Sequence, residues 1–393
     1  MTDDQQWQAP GSAIPPHAPP AMGSPLPPVA PFAAGVPLAP GWTPPPKPGL
    51  IPLRVMTLGT ILSASFQTLR RNPAATVGPA LVLSLVVALI QALGSAGFWT
   101  QYLGALSNLG SPSSTSQTGF TAGLVSSSIG LVATSLGSGV LALIAGAIVQ
   151  GIVTLQVASS TLGTRLRLSG LWRRMRGRRG AVIGWALLSG GVVLLAVAVI
   201  VGAVIALGSV GSVALLVAVL LGLLLGAGLF VVFVWLWVKL GFVPAIIVLE
   251  RTSIRAAMRR SWALTRAGFW RIFGIRLLVA AMIGIATNIV TTPISLIFSI
   301  AGGVLTPTGS TAAGAGQTLV ITLIVTQAVT AVISAVGLVL SASTLALLYL
   351  DQRMRFEGLD LDLARYVEYR QAGGQDLRDP YLAPERAAPS GVA

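Results

Sequence analysis

The sequence predicts an all-α membrane protein: six transmembrane helices in three hairpins, each hairpin preceded by an amphipathic interfacial helix, with a threefold internal repeat. Three observations carry that expectation. The chain of 393 residues is 54% apolar and only 9% charged, against about 25% charged in soluble domains. Its charges are missing from three long stretches: no Asp, Glu, Lys or Arg lies between Arg71 and Arg165, between Arg179 and Lys239, or between Arg276 and Asp351. Basic residues lie on one side only, before the first span, between each pair of hairpins and after the last span.

The elements follow in chain order. Residues 1–52 are rich in Pro, Ala and Gly, as in PPHAPPAMGSPLPPVAPF. Proline at this density disfavours helix and supplies no core, so this stretch reads as a disordered cytoplasmic tail. It has neither the basic start nor the apolar centre of a signal peptide. The one histidine, His17, lies there and reads as solvated. The membrane domain spans 53–351, and 352–393 form a charged cytoplasmic C-terminal tail.

Each charge gap holds two spans, since one needs about 20 residues. The apolar runs place them near 76–98 and 129–159, 181–207 and 212–238, 273–302 and 318–349. Apolar runs of this length satisfy their backbone groups in lipid only as helices. The loops within the hairpins carry no basic residue, so the positive-inside rule puts both termini in the cytoplasm, in a bacterial cytoplasmic membrane.

The segments before the hairpins align without gaps: LGTILSASFQTLRRNPAATVG, LRLSGLWRRMRGRRGAVIG and IRAAMRRSWALTRAGFWRIFG. An aromatic residue (Phe66, Trp172, Trp262) is followed four positions on by Arg70, Arg176 or Arg266, and eight further by Gly78, Gly184 or Gly274. Such repetition suggests three units. In the third copy Ile254, Met258, Trp262, Thr265 and Phe269 share one helical face, with Arg255, Arg259 and Arg266 mostly on another. A helix of this kind lies in the membrane surface with its Arg heads at lipid phosphates. Thr57 is the expected N-cap of the first copy, and Thr252 or Ser253 that of the third. The six aromatic and Arg positions are the candidate lipid-headgroup residues.

Inside the bundle, Ala198, Gly202 and Ala206, and Ala218, Gly222 and Gly226, recur at four-residue spacing, a packing pattern within or between monomers. No ionisable residue stands at mid-depth, where a proton or ion path would leave one. Lys239 and Arg276 sit near span ends and can snorkel. Gln91, Gln150, Gln156, Asn288 and Gln327 are neutral polar residues within spans. Asn288 precedes Thr291, Thr292 and Pro293, an expected kink. If a cavity exists, Gln91, Asn288 and Gln327 line it.

No chemistry is legible. There is no cysteine, no HExxH, GxSxG or P-loop pattern, and carboxylates are confined to the tails and Glu250. Asp351 and Arg355 at i, i+4 read as a solvated helix; an acidic pair at Asp360 and Asp362 is the one metal-binding alternative, and a disfavoured one. No cofactor, metal or nucleic acid is expected. The partners are membrane lipids with anionic headgroups at the cytoplasmic face, and a membrane-protein partner or a second copy of the chain.

Three stretches, LGTILSASFQTLRRNP, VPAIIVLERTSIRAAMRRSWALTRAGFWRIFGI and LLYLDQRMRFEGLDLDLAR, occur in the order found in the actinobacterial branch of a six-helix integral membrane family. Over roughly 50–366 the chain resembles that family, named after the membrane domain of glycerophosphoryl diester phosphodiesterase. The resemblance implies the six-helix fold. In the enzyme-fused members catalysis belongs to a separate TIM-barrel domain, for which this sequence has no room, so the resemblance transfers no active-site residue. The expectation is a non-catalytic protein that binds lipid or organises partners at the inner leaflet. The alternative is a transporter, exporter or channel component, and an embedded enzyme is the remaining class.

Overall fold

The computed structural model describes residues 56–107, 114–163, 167–208, 211–305, 312–372 and 379–382. The Pro-rich stretch 1–52 and His17 lie outside the described residues. Those described form helices and no strand: α1 (Leu58–Arg71), α2 (Pro73–Ser107), α3 (Ser114–Thr161), α4 (Leu168–Arg174), α5 (Arg179–Gly208), α6 (Ser212–Lys239), α7 (Val243–Leu249), α8 (Ile254–Arg266), α9 (Phe269–Leu305), α10 (Ala312–Glu357) and α11 (Leu359–Gln371).

Among the described residues six stretches are long and apolar enough to cross a membrane: Pro73–Trp99, Gly130–Thr161, Arg179–Leu207, Leu216–Leu249, Phe269–Phe298 and Val320–Glu357. A multi-pass membrane protein follows, with consecutive partners packed as α2 on α3, α5 on α6 and α9 on α10. Helix α10 also packs along α2 and α3, and these three make the centre of the bundle.

Local chemistry sets the boundaries. Thr57 caps α1, its hydroxyl accepting from the Thr60 N–H at 3.3 Å. Pro73 disfavours helix at Asn72 and opens α2, so α1 is a separate element. Of the two expected caps for α8, Ser253 is the one used, accepting from the Ala256 N–H at 3.5 Å. Between α7 and α8 the chain turns through Arg251, the one described non-glycine residue in the left-handed region, at φ 55°, where an L side chain costs about 1–2 kcal/mol. Gly358, at φ 66°, separates α10 from α11 without that penalty.

Helix α9 runs through Pro293 unbroken. Around the proline, Asn288, Thr291 and Ser295 each donate to a carbonyl four residues earlier on the same helix, the usual way a polar side chain is satisfied in an apolar surround.

The core is concentrated at the charged end. All of α7, residues 151–161 of α3 and residues 342–354 of α10 are buried. α1 lies on α10 through Ile61, Ala64, Ser65 and Thr68, with the Ser65 and Thr344 hydroxyls 3.0 Å apart. α2 and α3 pack tightly at Gly94, where an added Cβ would overlap the Thr134 side chain. The expected small-residue stripes are less tight: Gly222 faces Val204, but Gly202 and Gly226 have open space.

Candidate functional site

Where α3, α7, α8, α9 and α10 meet, two ion-pair networks are built on residues 351–357 of α10. The first centres on Asp351, whose side chain is fully buried. Its carboxylate accepts the Met56 N–H at 2.8 Å, pairs with Arg271 of α9, and takes Arg355 Nε at 3.0 Å. Arg271 Nη2 and Arg355 Nη2 donate to the Met56 carbonyl at 2.8 and 3.0 Å. One backbone residue entering α1 is thereby held by three side chains.

The second centres on Glu250, also fully buried, at the end of α7. It pairs with Arg260 of α8 and accepts the Tyr349 hydroxyl at 2.5 Å. Arg260 Nη2 reaches Glu357 at 2.8 Å, and Arg353 Nε donates to the same Glu357 oxygen at 2.9 Å. Arg353 Nη1 donates to the Tyr381 carbonyl at 3.0 Å. The Tyr381 hydroxyl in turn donates to Ala158 O at 2.9 Å and lies against Thr161. Burial alone would lower the Arg260 pKa, but the Glu250 and Glu357 carboxylates outweigh it and hold that pKa above its usual value. Burial pushes the Tyr381 hydroxyl pKa up. Removing one member of such a pair costs about 3–5 kcal/mol, because the partner is left buried and uncompensated.

This corrects the expectation for Asp351 and Arg355. They do form their i, i+4 pair, but the helix there is not solvated: Asp351, Gln352 and Arg353 are 0%, 1% and 3% exposed. The physical reason is that α10 continues to Glu357 between α1, α3, α8 and α9, so its polar end is a packing surface. Sequence reasoning missed Arg260, Arg271, Arg353, Tyr349 and Tyr381, and gave Glu250 no role. One signal was available: residues 56–357 contain eighteen arginines and only three carboxylates, Glu250, Asp351 and Glu357. Acids so scarce in a cationic apolar chain are there to be paired.

The candidate headgroup residues occupy unequal positions. Arg70 is in the last turn of α1 and Arg266 ends α8, whereas α4 is only seven residues long and Arg176 falls in the turn beyond it, before Gly177 at φ 89°. All three arginines are exposed. Phe66, Trp172 and Trp262 are 40%, 40% and 39% exposed. The Arg179 guanidinium stacks over Trp172, 4.0 Å from its centroid. The protein-facing side of α8 is Ala257, Ser261, Leu264 and Thr265. Thr265, expected on the apolar face with Trp262, is therefore packed inward, while Trp262 lies edge-on to Trp235 at 5.0 Å.

The three candidate cavity residues are differently placed. Gln91 accepts from the Ser138 hydroxyl and ties α2 to α3. Asn288 is exposed on α9, its amide donating to Gly284 O at 2.9 Å. Gln327 is half-buried on α10. Among the described residues no group of three or more His, Cys, Asp or Glu could hold a metal, and a groove between α5 and α6 is lined by Val, Ile, Leu, Ala and Gly alone.

The family described as "Domain of unknown function (DUF7847)" matches residues 56–350. The chain belongs to that family. The matched range begins at Met56, the residue clamped by Asp351, and runs to the residue before Asp351. No curated protein and no solved structure matches the chain.

Proposed function

We propose that this protein is a non-catalytic component of the bacterial cytoplasmic membrane that gathers anionic lipid headgroups at the inner leaflet and organises partners there. One observation carries the reading. All three carboxylates between residues 56 and 357 are held in ion pairs by Arg260, Arg271, Arg353 and Arg355. The arginines left exposed include Arg70, Arg71, Arg173, Arg174, Arg176, Arg255, Arg259 and Arg266, and among the described residues none of these eight forms a salt bridge. A surface of uncompensated guanidinium groups calls for an anionic counterpart. At a membrane surface that counterpart is lipid phosphate, worth about 1 kcal/mol per basic residue.

The other expectations fit this reading. With the basic end cytoplasmic, both termini are inside. α1, α4 and α8 serve as interfacial elements, each ahead of two spans, with Phe66, Trp172 and Trp262 at headgroup depth. Their similar order supports a threefold repeat of helix plus hairpin, with the second copy shortened. The exposed α5–α6 pair offers a face to a partner or a second copy. The resemblance to the phosphodiesterase-associated membrane domain suits a protein working beside phospholipid. A transport reading would need Gln91, Asn288 and Gln327 to share a cavity, and the outward position of Asn288 does not favour it.

The test is extraction of the full chain with its surrounding lipid into polymer-bounded discs from membranes of mixed anionic and zwitterionic phospholipid. Changing Arg70, Arg176 and Arg266 together to Gln is expected to lower the anionic fraction around the protein by about twofold or more. An unchanged fraction would reject the reading.

A further inference from the structure

Lys239 poses a separate question. It is the last residue of α6 and one of only two lysines in the chain, the other being Lys47. It is 8% exposed. Its stem is packed inside the protein, and an ammonium at the end of such a stem calls for hydrogen-bond acceptors or a counter-charge. Nζ lies beside two aromatic rings, 5.4 Å from the Trp262 centroid and 5.6 Å from that of Phe269.

The obvious internal partners are taken. Leu236 O accepts from the Leu240 N–H at 2.8 Å, Trp237 O from Arg276, Val238 O from the Gly241 N–H at 3.4 Å, and Lys239 O from the Ser261 hydroxyl at 2.7 Å. The end of α6 is therefore capped without its own lysine. Glu250, Asp351 and Glu357 are committed to arginines. Among the described residues no hydrogen-bond acceptor and no carboxylate meets Nζ.

The surroundings fit one class of ligand. Phe269 opens α9, whose first helical hydrogen bond runs from the Ile272 N–H to Gly268 O at 3.0 Å. The N–H groups of Phe269, Trp270 and Arg271 thus have no helical acceptor, and a helix N-terminus favours an anion. The same corner presents Trp235 and Trp270, 42% and 78% exposed. A cation on a buried stem, a helix N-terminus and an exposed aromatic rim suit a molecule with an anionic head and an apolar body.

We propose that Lys239, with the start of α9 and the Trp235–Trp262 pair, forms a discrete site for the phosphate of one phospholipid headgroup. The inference rests on the inner-leaflet reading for what reaches the site. It goes beyond that reading because it assigns one retained lipid to one residue, apart from the diffuse population around the exposed arginines.

The experiment is native mass spectrometry of the full chain in detergent with added phosphatidylglycerol. The wild-type protein is expected to keep one lipid whose affinity falls about tenfold or more in Lys239→Met, a loss equivalent to one neutralised contact. Arg70→Gln, Arg176→Gln and Arg266→Gln together should remove weakly held lipids and leave that one. Loss of the weak population alone supports both readings in their own terms. A tight lipid unaffected by Lys239→Met overturns the site and leaves the arginine reading standing. Release of the tight lipid by inorganic phosphate overturns the lipid assignment in favour of a free-anion site. A second measurement needs no variant: amine acylation of the wild-type chain, read at Lys239 against Lys47. Phosphatidylglycerol should protect Lys239 alone, and equal labelling with and without lipid contradicts the proposal.

Discussion

The inner ends of α3, α7 and α10 differ from the α5–α6 pair in a way that apolarity alone does not anticipate. α5 and α6 form the most apolar spanning stretches, yet they are the least buried, with none and 6% of their most apolar segments inside the protein. α3 is less apolar and 56% buried over the same length. Its buried end reads GIVTLQVASST, rich in small and hydroxyl-bearing residues. Lipid tails solvate Leu and Val as well as a protein interior does, so helices associate in membranes through close packing and polar contacts. The large aliphatic side chains of α5 and α6, such as Leu223 and Leu224 at 67% and 70% exposed, suit lipid.

That contrast can be broken by substitution. The largest effect is expected at the buried acids. Glu250→Ala leaves the Tyr349 hydroxyl without its acceptor and Arg260 with Glu357 alone, and should cost about 3–5 kcal/mol, read as a lowered unfolding midpoint in detergent. Next comes a matched pair of leucine truncations. Leu347→Ala, at a site 0% exposed, should cost about 2–5 kcal/mol through the cavity it opens. Leu223→Ala in α6 should change stability by no more than about 0.5 kcal/mol, as at any site that touches little. Equal losses at the two leucines would dissolve the distinction. Gly94→Ala drives a Cβ into Thr134 and should cost about 1–3 kcal/mol by overpacking, whereas Gly202→Ala, facing open space, should be neutral. Paired melts would show the difference.

The six apolar helices could be read from the sequence because charge exclusion is a one-dimensional signal. The stretches expected near 76–98, 181–207 and 212–238 fall on α2, α5 and α6, although α2 runs nine residues past 98 to Ser107. The caps at Thr57 and Ser253 were equally legible, since capping is local. The charged end was not. Asp351, Arg271 and Met56 are joined over 80 and 295 residues of chain, and no spacing rule links them. The i, i+4 pair of Asp351 and Arg355 looked solvated because spacing identifies partners and says nothing of what packs over them. Tyr381 was hidden for the same reason: it stands in the C-terminal tail, and only its seating against α3 and Arg353 makes it core.

The same contrast separates two sets of arginines, those that hold the fold together and those left for the leaflet. The direct measurement is the unfolding midpoint of two triple variants in one detergent. Arg260→Gln, Arg271→Gln and Arg353→Gln together should lower it severely, since each strands a buried carboxylate or shares one. Arg70→Gln, Arg176→Gln and Arg266→Gln together should leave it almost unchanged, as exposed charges without partners contribute little. Equal losses in the two variants, or a greater loss in the exposed set, would contradict the division on which both the fold and the proposed function rest.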